Sequence, residues 1–288
     1  MRKTTGAALI LNLAVLLACS GESVTDSAQV SATVVPIRLV DEDPLIEIRI
    51  NGSPIVVQFD IGRGTTVAVF PPQLESISKR RVGTASSGLS MTGPTGERPI
   101  YEVDLIEVGD ASFENATVVE DFHDEEYQDS FSSRLDAFGF FGTGLLQKHK
   151  IVIDYQRREL TLIPPESPRE QQSICDGVEL ALMQGQDWGL ASKVVTDIGE
   201  LVLVWDTGAP ESGVLKSRTD KSGLDLNDGD TLSTNLFAFG SNDIGPEDLV
   251  VWDWGENAPP FDGFIGYNFF ADNIVCVDIP NQTVFVKR

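Results

Sequence analysis

Short apolar runs separated by turn residues carry this chain from Ala32 to its end. Residues 34–40, 46–50 and 55–59 are rich in β-branched and apolar side chains. Asn51-Gly52 between the last two predicts a hairpin, because Asn and Gly accept the positive φ of a tight turn. Further strands are predicted at 101–108 and 116–122, flanking Gly109-Asp110. Residues 76–99 contain Gly83, Gly88, Gly93 and Gly96 among Ser and Thr, and read as a mobile loop or a long hairpin. Residues 123–133 read as an acidic, irregular stretch. No helical periodicity persists beyond about three turns, so the pattern predicts an all-β protein.

One apolar run ending in an aspartate and a glycine occurs twice. The first copy is Ile55-Val56-Val57-Gln58-Phe59-Asp60-Ile61-Gly62. The second is Leu201-Val202-Leu203-Val204-Trp205-Asp206-Thr207-Gly208-Ala209. Each is followed by an apolar-apolar-Gly phrase, Phe140-Phe141-Gly142 and Phe264-Ile265-Gly266, and then by a strand with an inner acid, Asp154 or Asp278. The same order twice points to a duplicated unit. It predicts lobes at 34–165 and 174–288, with the boundary in the polar, proline-bearing stretch after Pro164-Pro165. The interval between phrases is shorter in the second lobe, so the glycine-rich stretch of the first is expected to lack a full counterpart.

An aspartate that closes an apolar strand and precedes glycine sits on a tight turn at low dielectric. Two such groups facing each other cannot both ionise cheaply, and the pair holds one proton. One member then takes a proton from water while the other donates to a substrate carbonyl, with no covalent intermediate and no cofactor.

Asp206-Thr207-Gly208-Ala209, together with the paired glycine phrases, resembles the pepsin-like and retropepsin-like aspartic peptidases over residues 34 to 288. The resemblance implies two similar β-barrel-like lobes of the acid-protease fold with a cleft between them. It implies that Asp60 and Asp206 hydrolyse a peptide or protein substrate, with Gly62 and Gly208 shaping their turns. It places Gly142 and Gly266 in ψ-shaped cores behind the aspartates, and makes residues 83–96 a flap. Three positions depart from or refine the pattern. Ile61 stands where the family carries Thr or Ser, so the hydroxyl lock that Thr207 makes across the lobes is at most half made. Arg63 could favour ionised Asp60, turn to solvent or bind a substrate carboxylate. Ala209 is similar to the retroviral Asp-Thr-Gly-Ala and implies work nearer neutral pH. A tyrosine at the flap tip is not evident, Tyr101 lying at the far end of the stretch. Ile61 and Arg63 also motivate an alternative: a catalytically weakened relative that binds peptide or protein in its cleft.

Charge and the first residues change the setting. A net charge of −23 argues against phosphate-mediated nucleic-acid binding, which needs lysine and arginine. Arg2 and Lys3, an apolar run over 6–17 and Leu16-Leu17-Ala18-Cys19 make a secretory signal too short to span a membrane. The last four resemble the lipobox of bacterial lipoproteins. That implies a signal at 1–18, lipid on Cys19, a polar tether at 19–33 and, with Ser20 next, the outer membrane facing periplasm or cell surface. Membrane attachment is then through that lipid alone.

The remaining cysteines, Cys175 and Cys276, suit either a disulfide or two buried thiols. No cysteine spacing resembles a zinc site. His123 and His149 lack a nucleophile motif nearby, and His123-Asp124-Glu125-Glu126 reads as a solvated charge run. Asp225, Asp228 and Asp230 fail the EF-hand spacing, with Leu236 where its glutamate belongs, so no metal is expected. Trp252, Trp254 and Phe261 read as packing residues, Asp154 and Asp278 as structural acids. Two lobes in one chain remove the need for a dimer, and a monomer is expected.

Overall fold

The structure is a computed structural model and describes residues 31–86, 96–168, 171, 175, 177–184, 189–255 and 259–288. It is mostly β, with 49% strand and 14% helix in large curled sheets, as the apolar pattern predicted. Asn51 and Gly52 adopt φ of 50° and 80° and join Asp43–Ile50 to Ser53–Phe59. With Ile50 paired to Ser53, alternation puts Ile46, Ile48, Val57 and Phe59 in the core and leaves Glu47 and Arg49 exposed.

Behind each aspartate the chain makes the same crossing. Gly139–Phe141 lies between Ser53–Phe59, to which it runs parallel, and Val67–Val69, to which it runs antiparallel. Gly263–Ile265 does the same between Gly199–Trp205 and Gly213–Leu215. The Asp60 amide donates to the Phe141 carbonyl and the Asp206 amide to that of Ile265, both at 3.0 Å. Phe59 and Trp205, one residue before each aspartate, are fully buried. Burying either stabilises by roughly 2–3 kcal/mol and pins the strand end that carries the carboxylate.

These crossings sit in an eight-stranded sheet of the first half and a nine-stranded sheet of the second. A third, six-stranded sheet joins the halves. It takes Thr33–Pro36, Glu159–Ile163 and Lys150–Asp154 from the first, then Ile274–Asp278, Thr283–Lys287 and Val178–Ala181 from the second. The seam is the antiparallel pair Lys150–Asp154 with Ile274–Asp278, and Lys150 crosses it to Asp278 Oδ2 at 2.8 Å. Asp154 Oδ1 accepts from the Arg157 amide at 2.9 Å, the role of a turn acid.

Two stretches differ from, or narrow, the sequence reading. Residues 123–133 are not irregular: Glu125–Leu135 is a helix. Asp124 caps it through the Tyr127 amide, Glu125 and Glu126 complement its first turn, and Arg134 its last. Phe131 and Leu135, four residues apart, are buried in one apolar cluster with Phe70 and Phe140. In the glycine-rich stretch Arg80–Ser86 pairs with Glu97–Val108 as the arms of a hairpin. Residues 87–95, with Gly88 and Gly93, lie outside the described residues, as do 1–30 with Cys19.

Cys175 and Cys276 are disulfide-bonded, with Cα atoms 5.5 Å apart and a sequence separation of 101. The bridge fastens the start of the second half to its strand in the shared sheet. Closing a loop of this length restricts the unfolded chain, so replacing both cysteines by serine is expected to cost about 2–4 kcal/mol. Thermal unfolding of the oxidised protein beside the doubly substituted one measures this. Equal midpoints would mean that the bridge contributes nothing.

Candidate active site

The two strand ends bring Asp60 and Asp206 together. Their turns match: the Arg63 amide donates to the Asp60 carbonyl and the Ala209 amide to that of Asp206, each at 3.3 Å. Each turn's glycine abuts the other turn's aspartate. A Cβ on Gly62 would lie 2.6 Å from Asp206 Cγ, and one on Gly208 would lie 3.2 Å from Asp60 Cγ. Neither glycine has positive φ. They are therefore needed less to shape a turn, as the sequence suggested, than to leave room for the opposite carboxyl.

The two carboxyls lie side by side: a Cβ on Gly208 would be 3.2 Å from both Asp206 Oδ1 and Asp60 Cγ. Carboxyls this close cannot both ionise cheaply, and the pair favours holding one proton. Burial, and after it the Asp60 charge, hold the Asp206 carboxyl well above the usual carboxylate range. Asp206 Oδ1 also accepts from the Gly208 amide at 2.9 Å. Asp60 is 7% exposed, and its Oδ1 meets no donor N–H or O–H among the described residues.

Thr207 makes half of a lock between the two turns. Its hydroxyl donates to the Phe59 carbonyl at 2.7 Å and accepts from the Ile61 amide at 3.1 Å. Ile61 returns no hydroxyl, and its side chain is fully buried in the apolar core. A second cross-contact comes from the Gly189 amide, which donates to the Gly62 carbonyl at 2.8 Å. Beneath Thr207 lies Tyr155, which sequence reasoning passed over. Its ring packs on Tyr267 and Phe270, and its buried hydroxyl faces that of Thr207 without a well-aligned bond. Burial, then the charge of Asp206, push this phenol well above its ordinary range.

Arg63 takes the first of its three sequence options. Its Nε donates to Asp60 Oδ2 at 2.9 Å and its Nη1 to Asp121 Oδ2 at 3.3 Å. The guanidinium rests 3.6 Å above the Phe140 ring centroid. Burial works against its charge, but Asp121 and then Asp60 more than offset that, and the cation stays. Asp121 Oδ1 meets His123 Nδ1 at 2.7 Å and accepts from the His123 amide at 3.0 Å. The imidazole stacks on Tyr127 with ring centroids 3.9 Å apart. His123 is thus a partly buried, bonded ring and not part of a solvated charge run. Asp121, missed in the sequence, follows no apolar-Asp-Gly pattern, and its position 58 residues from Arg63 carries no local signal.

The other predicted positions support the pair. Ala209 is buried with Phe261 and Phe264, against which Trp254 packs. Trp252 packs on Phe264 at 5.8 Å. A Cβ on Gly142 would strike the Thr65 carbonyl oxygen at 2.4 Å, and one on Gly266 that of Glu211 at 2.3 Å, so the backbones there pass too closely for any side chain.

A polar chain ties the second crossing to a titrating group. The Gly266 amide donates to Ser212 Oγ at 3.1 Å, the Ser212 amide to Asn268 Oδ1 at 2.6 Å, and Asn268 Nδ2 to Glu247 Oε1 at 3.0 Å. Burial pushes the Glu247 carboxyl up to about 7, opposed by Arg288. A folded value above the unfolded one means that the native state gains from Glu247 below about pH 4.5 and loses that gain as pH rises through about 7. Glu247→Gln is therefore expected to stabilise the protein at pH 8 by about 1–2 kcal/mol, after allowance for partial solvent screening, and to give nothing at pH 4.5. Denaturant midpoints at the two pH values measure the difference. A gain independent of pH would refute the assignment.

Among the described residues no group of three or more His, Cys, Asp or Glu side chains is arranged to hold a metal ion. None of their helices is long and apolar enough to cross a membrane. No protein-family model matches the chain, and no curated protein matches it.

Proposed function

We propose that this protein is an aspartic endopeptidase of the acid-protease fold, hydrolysing peptide bonds with a water activated by Asp60 and Asp206. The observation that supports it best is the meeting of these carboxyls. Two like turns, far apart in the chain, each carry a glycine that clears space for the other's aspartate.

In this reading a water lies between the carboxyls and the substrate carbonyl. Asp60 takes the water's proton, and Asp206 gives its own to the carbonyl oxygen. The tetrahedral adduct then collapses as a proton passes to the leaving amine. Activity falls once Asp206 is ionised, because the carboxyl then has no proton to give to the carbonyl oxygen. The leader and Cys19 extend the proposal to a lipid-anchored protein of a bacterial envelope acting on peptides or proteins there.

Arg63 on Asp60 favours a second reading, in which the cleft binds a peptide without cutting it. The test is a soluble form beginning after Cys19, incubated with a diverse peptide mixture from about pH 3 to 8. New termini identified by mass spectrometry would support the peptidase. Cleavage that appears only in Ile61→Thr or Arg63→Ser would favour the second reading. Silence in every form would remove the first.

A further inference from the structure

A single positive charge beside one member of a proton-sharing pair should bias the pair towards full ionisation. The surroundings of Arg63 divert part of that charge. The guanidinium gives Asp60 only Nε and turns Nη1 to Asp121. Asp121 is fully buried, and both its oxygens are committed. Oδ1 is held by the amide and ring nitrogen of His123, which leaves Oδ2 facing Arg63. Asp121 itself is set by its amide, which donates to the Val69 carbonyl at 3.0 Å beside the first crossing. Tyr127 clamps the imidazole, and Phe140 supports the guanidinium from below.

We propose that Asp121 is a positioning residue of the Asp60/Asp206 pair. By holding one arm of Arg63 it divides one cationic charge between two carboxylates, so that Asp60 stays able to take a proton from water. His123 fixes Asp121 for that task. The proposal rests on the peptidase reading but concerns the carboxyl pair itself, which titrates whether or not a substrate is cut. The other groups facing this cluster are Tyr127 on the Arg63 side and Asp43 on the Asp60 side. Asp43 is paired with Arg134 at 2.6 Å, and both stay constant in the test.

The test is carbon NMR of the aspartate carboxyls from about pH 2 to 8, in the native chain, Asp121→Asn, Arg63→Gln and the double variant. Losing Asp121 leaves Arg63 wholly to Asp60, so the lower midpoint of the pair is expected to fall by about one pH unit in Asp121→Asn. Removing the cation should raise it by about one unit in Arg63→Gln. In the Arg63→Gln background, Asp121→Asn should then move it by less than about 0.3 unit, because the effect travels through the arginine. An unmoved midpoint in Asp121→Asn, or an equal movement with and without Arg63, would overturn the proposal. If Asp121→Asn does not fold, Asp121→Ser carries the same expectation. An unchanged midpoint in Arg63→Gln, where Asp121 is untouched, overturns it independently. A chain that titrates as expected but never cuts peptide would sink the peptidase reading and leave this one standing. A chain that cuts but ignores Asp121 would do the reverse.

Discussion

Asp206→Asn is expected to lower peptide cleavage by roughly 10³–10⁴-fold while making the protein more stable at neutral pH. The amide has the size of the carboxyl and still accepts the Gly208 amide proton. It cannot hold the acidic proton that Asp206 shares with Asp60 and would give to the carbonyl oxygen. The stability gain follows from the same burial. A carboxyl held well above its unfolded value near 3.9 adds stability only below that pH, and the native state loses it as pH rises through the folded value. At neutral pH an uncharged amide avoids that loss. Activity and stability should therefore move in opposite directions, as in sites strained for function. The rate is read as kcat/KM with a fluorogenic peptide found in the mixture assay, the stability as a denaturant midpoint at pH 7. Cleavage within tenfold of the native rate would sink the role of Asp206.

Gly62→Ala is expected to cost cleavage at least about 10²-fold and stability about 1–3 kcal/mol. The added methyl would stand 2.6 Å from Asp206 Cγ and under 3 Å from both carboxyl oxygens. Neither turn can yield freely, since Asp206 is tethered by its amide to Ile265 and Gly62 by its carbonyl to Gly189. The pair must separate, and a misplacement of this size is what proximity-dependent catalysis tolerates least. Gly208→Ala is expected to be milder in both respects, because its nearest contacts are at 3.2–3.3 Å and small shifts relieve them. Paired kcat and unfolding measurements on the two variants test the ranking. Equal effects would mean that turn shape, and not space for the opposite carboxyl, is what these glycines provide.

Much of the site was legible because its signals are local. An apolar strand ending in Asp-x-Gly, an apolar-apolar-Gly phrase and an Asn-Gly hairpin are each set by a few consecutive residues. Their repetition suggested that Asp60 and Asp206 meet, and the resemblance to aspartic peptidases implied that Gly142 and Gly266 lie behind them. The helix Glu125–Leu135 was hidden by its composition. Its acids look like a solvated run until Asp124 is seen as a cap and Phe131 and Leu135 as one buried face. Arg63 was visible as a departure, but its direction was not, because the partner that decides it lies 58 residues away.

By itself the sequence determined the β-rich pattern and pointed to two like Asp-x-Gly turns, since alternation, turn chemistry and short motifs depend on neighbours along the chain. The tertiary structure alone decided the rest. It set which oxygen Arg63 holds, and brought Asp121, His123 and Tyr155 around the pair. It also built the six-stranded sheet that joins the halves. These depend on where distant segments come to rest, and on burial and charge at that place, which exist only once the chain has folded.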